Sequence, residues 1–131
     1  MRVALMILLG LVIGIIGTAN VMNALGQRNP MPKAVMHTMG YHMGELAHAI
    51  KANQCEAVNI QHHLARLDST ATDITPVFGM NNKDFDDHAR QLQDHLQQAV
   101  QAAPTTCAAL AAAIKPVNES CKSCHQKYRD N

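Results

Sequence analysis

The chain has 131 residues, room for one domain. Its formal net charge is +1, from eleven Lys and Arg against ten Asp and Glu, which gives no broad electrostatic case for binding nucleic acid or an acidic membrane surface. With two Phe, two Tyr and no Trp, a core must be filled mainly by Ala, Leu, Ile, Val and Met, residues that suit close-packed helices.

From the N-terminus, Val3 to Gly17 is almost continuously apolar and follows a single Arg2, the layout of a signal peptide or a short membrane anchor. Gly17-Thr18-Ala19 offers small residues for a signal peptidase, whereas Ala19 to Leu25 stays apolar enough to continue a spanning helix. Cleavage and retention both remain open, and either carries the following domain across a membrane. Gly10 and Gly14 form a small-xxx-small pair, although in so apolar a stretch a slim helix explains them as well. Residues 1–28 are therefore expected to be a signal or anchor segment able to engage the inner membrane through residues 3–25. Residues 29–131 are expected to form the folded domain.

In that domain the spacing predicts four helices and no strand. The first starts near Pro32, tolerated in a first turn, and runs to about Lys51 with Met36, Met39, Met43, Leu46 and Ile50 as its stripe. The second opens at Asn53, with Glu56 three residues on as in a capping box, and buries Ala57, Ile60, Leu64 and Leu67. It fades at Asp68 to Thr72. After a connection holding Pro76 and Gly79, the third begins around Asn82 and shows Phe85, Ala89, Leu92, Leu96, Ala99 and Ala103 before Pro104 ends it. The last starts at Thr105 or Thr106, carries Cys107, Leu110, Ile114, Val117, Cys121, Cys124 and Tyr128, and is expected to bend at Pro116. Two short links and one longer one predict an all-α, antiparallel up-down-up-down four-helix bundle, preceded by the N-terminal apolar helix. In that topology the start of the first bundle helix and the end of the last share one end, so Met36 and His125 become neighbours.

Cys121-Lys122-Ser123-Cys124-His125 is a C-x-x-C-H haem attachment sequence. On a helix, thiols three residues apart lie on one face and can each add to a haem vinyl group, and the next imidazole reaches the iron. Export fits, because this covalent attachment belongs outside the cytoplasm. A thioredoxin-like redox pair would need a strand leading into a helix, and a zinc site would need a fourth ligand that Gln126, Lys127, Tyr128 and Arg129 do not supply. His62, His63, His88 and His95 lie among polar neighbours and are expected at the solvated surface, with His88 and His95 on one face as an adventitious metal pair at most. One covalent haem c is thus expected, on Cys121 and Cys124, with His125 on the iron.

The ending Cys121-Lys122-Ser123-Cys124-His125-Gln126-Lys127-Tyr128-Arg129, the C-terminal placement of the motif and the four-helix pattern carry a resemblance to the class II c-type cytochromes, the cytochrome c prime group. Met36-His37-Thr38-Met39-Gly40-Tyr41-His42-Met43-Gly44-Glu45-Leu46 is similar to the family's distal segment, so the likeness covers about residues 30 to 130. It implies that the residue at Met36 decides the chemistry. Members with Leu there leave the iron five-coordinate and bind gases such as nitric oxide, whereas members with Met are low-spin electron carriers. Met36 therefore points to the low-spin, Met-ligated branch, with His37, Met39 and His42 as fallback ligands. Tyr128, Arg129, Met39 and Met43 are expected around the haem. One departure is Pro32, where the family usually carries an Arg that pairs with a propionate; Lys33 or Arg28 are the available substitutes.

Cys55 and Cys107 remain, an even remainder that suggests a disulfide in an exported chain, and the bundle places both at the end away from the haem. Taken together these readings describe no enzyme. They describe a periplasmic one-electron carrier with His125/Met36 ligation, free or anchored, whose partners are periplasmic or membrane redox proteins docking on Lys122, Lys127 and Arg129. The alternatives are a gas-binding protein whose distal position is vacant or displaceable, and a haem subunit of one membrane complex. The resemblance also implies homodimers.

Overall fold

A computed structural model describes residues 2–26 and 29–129, and all regular structure among them is helical. Contacts divide the chain into two units, Met1–Pro30 and Met31–Asn131. The first holds α1 (Arg2–Gly26), whose window Met6–Asn23 has a mean hydropathy of 1.9. Twenty-five helical residues reach ~37 Å against a hydrocarbon thickness of ~30 Å, so length and composition suffice to cross a bilayer. Among the described residues its large apolar side chains, such as Ile7, Leu9, Ile13 and Ile16, are exposed.

The second unit is a bundle of α2 (Met31–Ala52), α3 (Ala57–Ala71), α5 (Lys83–Ala102) and α6 (Cys107–Tyr128), with the short α4 (Ile74–Phe78) between α3 and α5. Helix α2 packs on α3, α3 on α5, α5 on α6, and α6 back on α2, which closes the ring. The pairings run antiparallel: His95 meets Ser120 near mid-helix, while Asp84 at the start of α5 meets Lys127 and Tyr128 at the end of α6. Leu46, Ile60, Leu64, Leu67, Leu96, Leu110 and Val117 are the most deeply buried side chains.

The helix boundaries have local causes, and one differs from expectation. Asn53 does not cap the second bundle helix. It sits at φ 55° as the left-handed residue that ends α2, with its N–H donating to Ile50 O at 3.1 Å and the Gln54 N–H to Ala49 O at 2.9 Å. Asn tolerates that conformation, so the position is a Schellman-type C-terminus. Helix α3 starts one turn later, at Ala57 behind Glu56, which makes no side-chain cap. Asn82 does cap α5, its Oδ1 accepting from the Asp84 and Phe85 amides at 3.0 and 3.5 Å. Thr106 caps α6 through the Ala109 amide at 3.2 Å. Pro116 leaves α6 uninterrupted. The long connection contains α4, where Pro76 lies in a first turn that needs no intrahelical donor and Gly79 at φ 58° returns its N–H to Thr75 O.

The histidines differ more. His62 is exposed, but His63, His88 and His95 are partly buried, and His42, one of the fallback ligands, is only 6% exposed. On α2 the core stripe is Val35, Met39, His42 and Leu46; Met36 and Met43 lie beside it, half-buried. His42 is accommodated because its Nδ1 lies 2.8 Å from Nδ1 of His63, one ring donating to the other. Burial first, then the charges of His63, Arg66 and His62, hold its pKa below the ordinary imidazole value, with Glu45 opposing.

Cys55 and Cys107 form a disulfide with Cα atoms 5.2 Å apart, joining the start of α3 to the start of α6. It spans 52 residues of sequence, so removing it through Cys55→Ser with Cys107→Ser is expected to lower unfolding free energy by about 4 kcal/mol, read from urea titrations. The His42 pair gives a pH signature. The unfolded chain binds the His42 proton at higher pH than the folded one, so stability falls as pH drops below ~6.5 towards the lowered folded pKa, by at most ~1.4 kcal/mol per pH unit. In the same titrations His42→Gln is expected to flatten that slope, and an unchanged slope would exclude His42 as its source.

Candidate functional site

At the end of the bundle opposite the disulfide lies a mostly apolar cavity of about 250 Å³. Helix α6 supplies Val117, Asn118, Cys121, Cys124, His125 and Tyr128 to it, and Arg129 follows at the helix end. Facing them from α2 are Met36, Met39, Gly40 and Met43. Leu67 of α3, Ile74 and Phe78 of α4, and Phe85, His88, Ala89 and Leu92 of α5 close the remaining walls. The antiparallel closure of α6 onto α2 thus brings Met36 and His125 to one cavity. The second stripe of α2, at spacings of three and four, faces it rather than the core.

Of the residues expected around this site, Cys121, Cys124, His125, Met36, Met39, Met43, Tyr128 and Arg129 all line the cavity. Pro32 and Lys33 do not, and Arg28 lies outside the described residues. His37 is exposed and His42 is committed to His63, so neither offers an imidazole to this space. Residues that sequence reasoning passed over include Phe78 and Ile74 of α4, hidden by a connection read as irregular, and His88. Asp84 was overlooked as well. Its Oδ2 accepts from Lys127 Nζ at 2.7 Å and from the Tyr128 hydroxyl, and it lies 3.7 Å from His88 Nε2. Those hydrogen bonds, with Lys127 first and Tyr128 second, hold the Asp84 pKa below the usual carboxylate value and raise that of Tyr128. The Tyr128 ring stands edge-on to Phe85 at 5.2 Å, so the last turn of α6 is fixed to the first turn of α5.

Cys121 and Cys124 are free and partly buried. Burial pushes both thiols up, helped by Cys124 at Cys121 and by Asp84 at Cys124. That is the reverse of the lowered thiol pKa of a redox pair at a helix N-terminus, and these two sit near a C-terminus. Among the described residues, no group of three or more His, Cys, Asp or Glu side chains is placed to hold a metal ion by itself. What the site offers is an apolar slot with two thiols and one imidazole on a single wall. These donors fit a flat, hydrophobic macrocycle with an iron centre, two vinyl groups within reach of the sulfurs and one axial nitrogen. Lys127, expected as part of a basic rim, has its charge compensated by Asp84.

No curated protein and no solved structure matches the chain. Residues 80–129, which cover α5, α6 and the approach to α5, match the family model described as Cytochrome C′. The match corrects the assignment to a low-spin, Met-ligated branch: the iron of this family is five-coordinate, and the matched residues hold the His125 wall and stop short of α2 and Met36. Physically, Met36 shares its stretch of cavity wall with Met39 and Met43, where flexible thioethers serve as packing material without needing to be ligands. Over residues 80–129, less than half of its length, the chain is therefore similar to the cytochrome c′ family.

Proposed function

We propose that this chain is an exported haem c protein whose distal position takes up a small gas, nitric oxide or carbon monoxide. The observation that carries this reading is that one cavity is lined on one side by Cys121, Cys124 and His125 and on the other by α2 residues without an imidazole. A haem held there supplies an iron able to take a sixth ligand and to change oxidation state. The chain's own residues do the rest. Cys121 and Cys124 would tether the macrocycle by thioether bonds, and His125 would supply an imidazole nitrogen to its iron. Asp84 holds Tyr128 and Lys127, and so fixes the helix turn that bears His125.

On the distal side Met36, Met39 and Met43 make an apolar wall that favours a neutral diatomic over water. Gly40 lines the same wall, and a Cβ placed there would meet nothing within 4 Å, so the wall leaves room beside the α2 backbone. Helix α1 delivers the domain across the inner membrane and either leaves with the signal or stays as an anchor, which puts the haem domain in the periplasm. Electron exchange with redox proteins there would use the exposed Lys122 side of the motif.

Ferrous haem-loaded protein is expected to bind carbon monoxide with a change in its Soret band, and Met36→Leu should bind it within about threefold of the parent, a difference under ~1 kcal/mol. A six-coordinate spectrum that neither gas alters would overturn the distal assignment. Cys121→Ala is expected to leave one thioether, read as a red-shifted ferrous α band in alkaline pyridine.

A further inference from the structure

A second gathering of donors lies between α2 and α3 and takes no part in the cavity. His42 is buried, its Nδ1 is 2.8 Å from Nδ1 of His63, and the ring of His62 stands 5.3 Å from that of His63 and 6.3 Å from that of His42. Tyr41 covers the pair edge-on, at 5.0 Å from His42 and 6.2 Å from His63. Two imidazole nitrogens this close share one proton, and rotation of the two rings would turn both nitrogens towards a common ion.

The 2.8 Å separation is that of the hydrogen bond between the two rings and selects no metal; the donor type orders the metals instead. Imidazole nitrogens with water suit copper(II), nickel(II) and zinc(II), and copper binds the tightest of the three. Access exists as well. A cavity of about 170 Å³ lined by Glu45, His48 and Asn59 reaches His63 of the pair, giving an ion a route in and water ligands a place, with the Glu45 carboxylate as the nearby negative charge. Arg66 acts on His42 in the opposite sense and limits affinity.

We propose that His42 and His63 form a two-imidazole site for one copper(II) ion, separate from the cavity of the Cys121-Cys124-His125 motif, with water completing the coordination. Binding takes both rings as neutral imidazoles: the shared proton moves from Nδ1 to Nε2 of its own ring, no net proton leaves the pair, and no oxidation state changes.

The test is a titration of the full-length protein with copper(II) chloride near pH 7, followed by electron paramagnetic resonance. A first equivalent with tetragonal parameters and two coupled nitrogens is expected, with zinc(II) held more weakly. His63→Gln and His42→Gln should each lower affinity for that first equivalent roughly tenfold or more, and His37→Gln, at an exposed histidine outside both cavities, should leave it unchanged. His63 is only partly buried, so its variant decides the matter should the His42 variant fail to fold. A first copper held equally well by His63→Gln and the parent would mean binding at other surface histidines and would overturn the proposal, as would tighter binding of zinc than of copper.

Discussion

Helix α6 is the constraint on which the rest depends. Its first residue is disulfide-bonded to the start of α3, its middle buries Leu110, Ile114 and Val117, and its last two turns carry both thiols and the imidazole of the candidate site. From Cys107 to Cys121 a helix rises ~21 Å, so one rigid element separates the covalent anchor from the chemistry. Because α6 runs antiparallel to α5 and closes the ring onto α2, its C-terminal motif meets the start of both neighbours. The site follows from that one seating: α5 contributes Asp84 and His88, and α2 contributes the thioether wall.

The two ends of the bundle use different chemistry to hold the helices in register. At the Cys107 end a covalent bond restricts the unfolded chain. At the other end Asp84 accepts from Lys127 and Tyr128 in an exposed setting, where ion pairs contribute little to stability but fix orientation. Between them His95 meets the buried Ser120 at 2.8 Å, one residue before Cys121. Polar contacts thus bracket the motif on α6 while its thiols and imidazole turn inward.

Much of this was legible in the sequence, and what was not has identifiable causes. The Leu, Ile, Val and Phe positions of the α3, α5 and α6 stripes follow the sequence reading, because three- and four-residue spacing of such residues admits one buried face, whereas Ala57 and Ala103, read into those stripes at the helix ends, are exposed. Helix α2 was harder: Met36, Met39 and Met43 look like a core stripe, yet the core face is Val35, Met39, His42 and Leu46, and the neighbouring face lines a cavity. Periodicity cannot separate a face that meets a helix from one that meets a ligand. The pairing of His42, read as a fallback ligand, with His63, read as a surface residue, is not legible because each looks polar alone and only their mutual hydrogen bond makes burial tolerable. Asn53 was misread since Asn serves both helix ends, and the choice depended on a positive φ that composition does not reveal. The motif itself needed no fold to be seen, whereas its partner Asp84, 43 residues from Lys127, did.

The measurement closest to the central claim is the intact mass of the full chain expressed in a host that exports and attaches haem, taken with an alkaline pyridine spectrum of the same sample. A polypeptide whose mass is increased by one haem under denaturing conditions, with the ferrous α band of a haem joined through two thioethers, is the predicted result. A chain of unmodified mass, with any haem lost on denaturation, would contradict the assignment of Cys121, Cys124 and His125 as a haem c site.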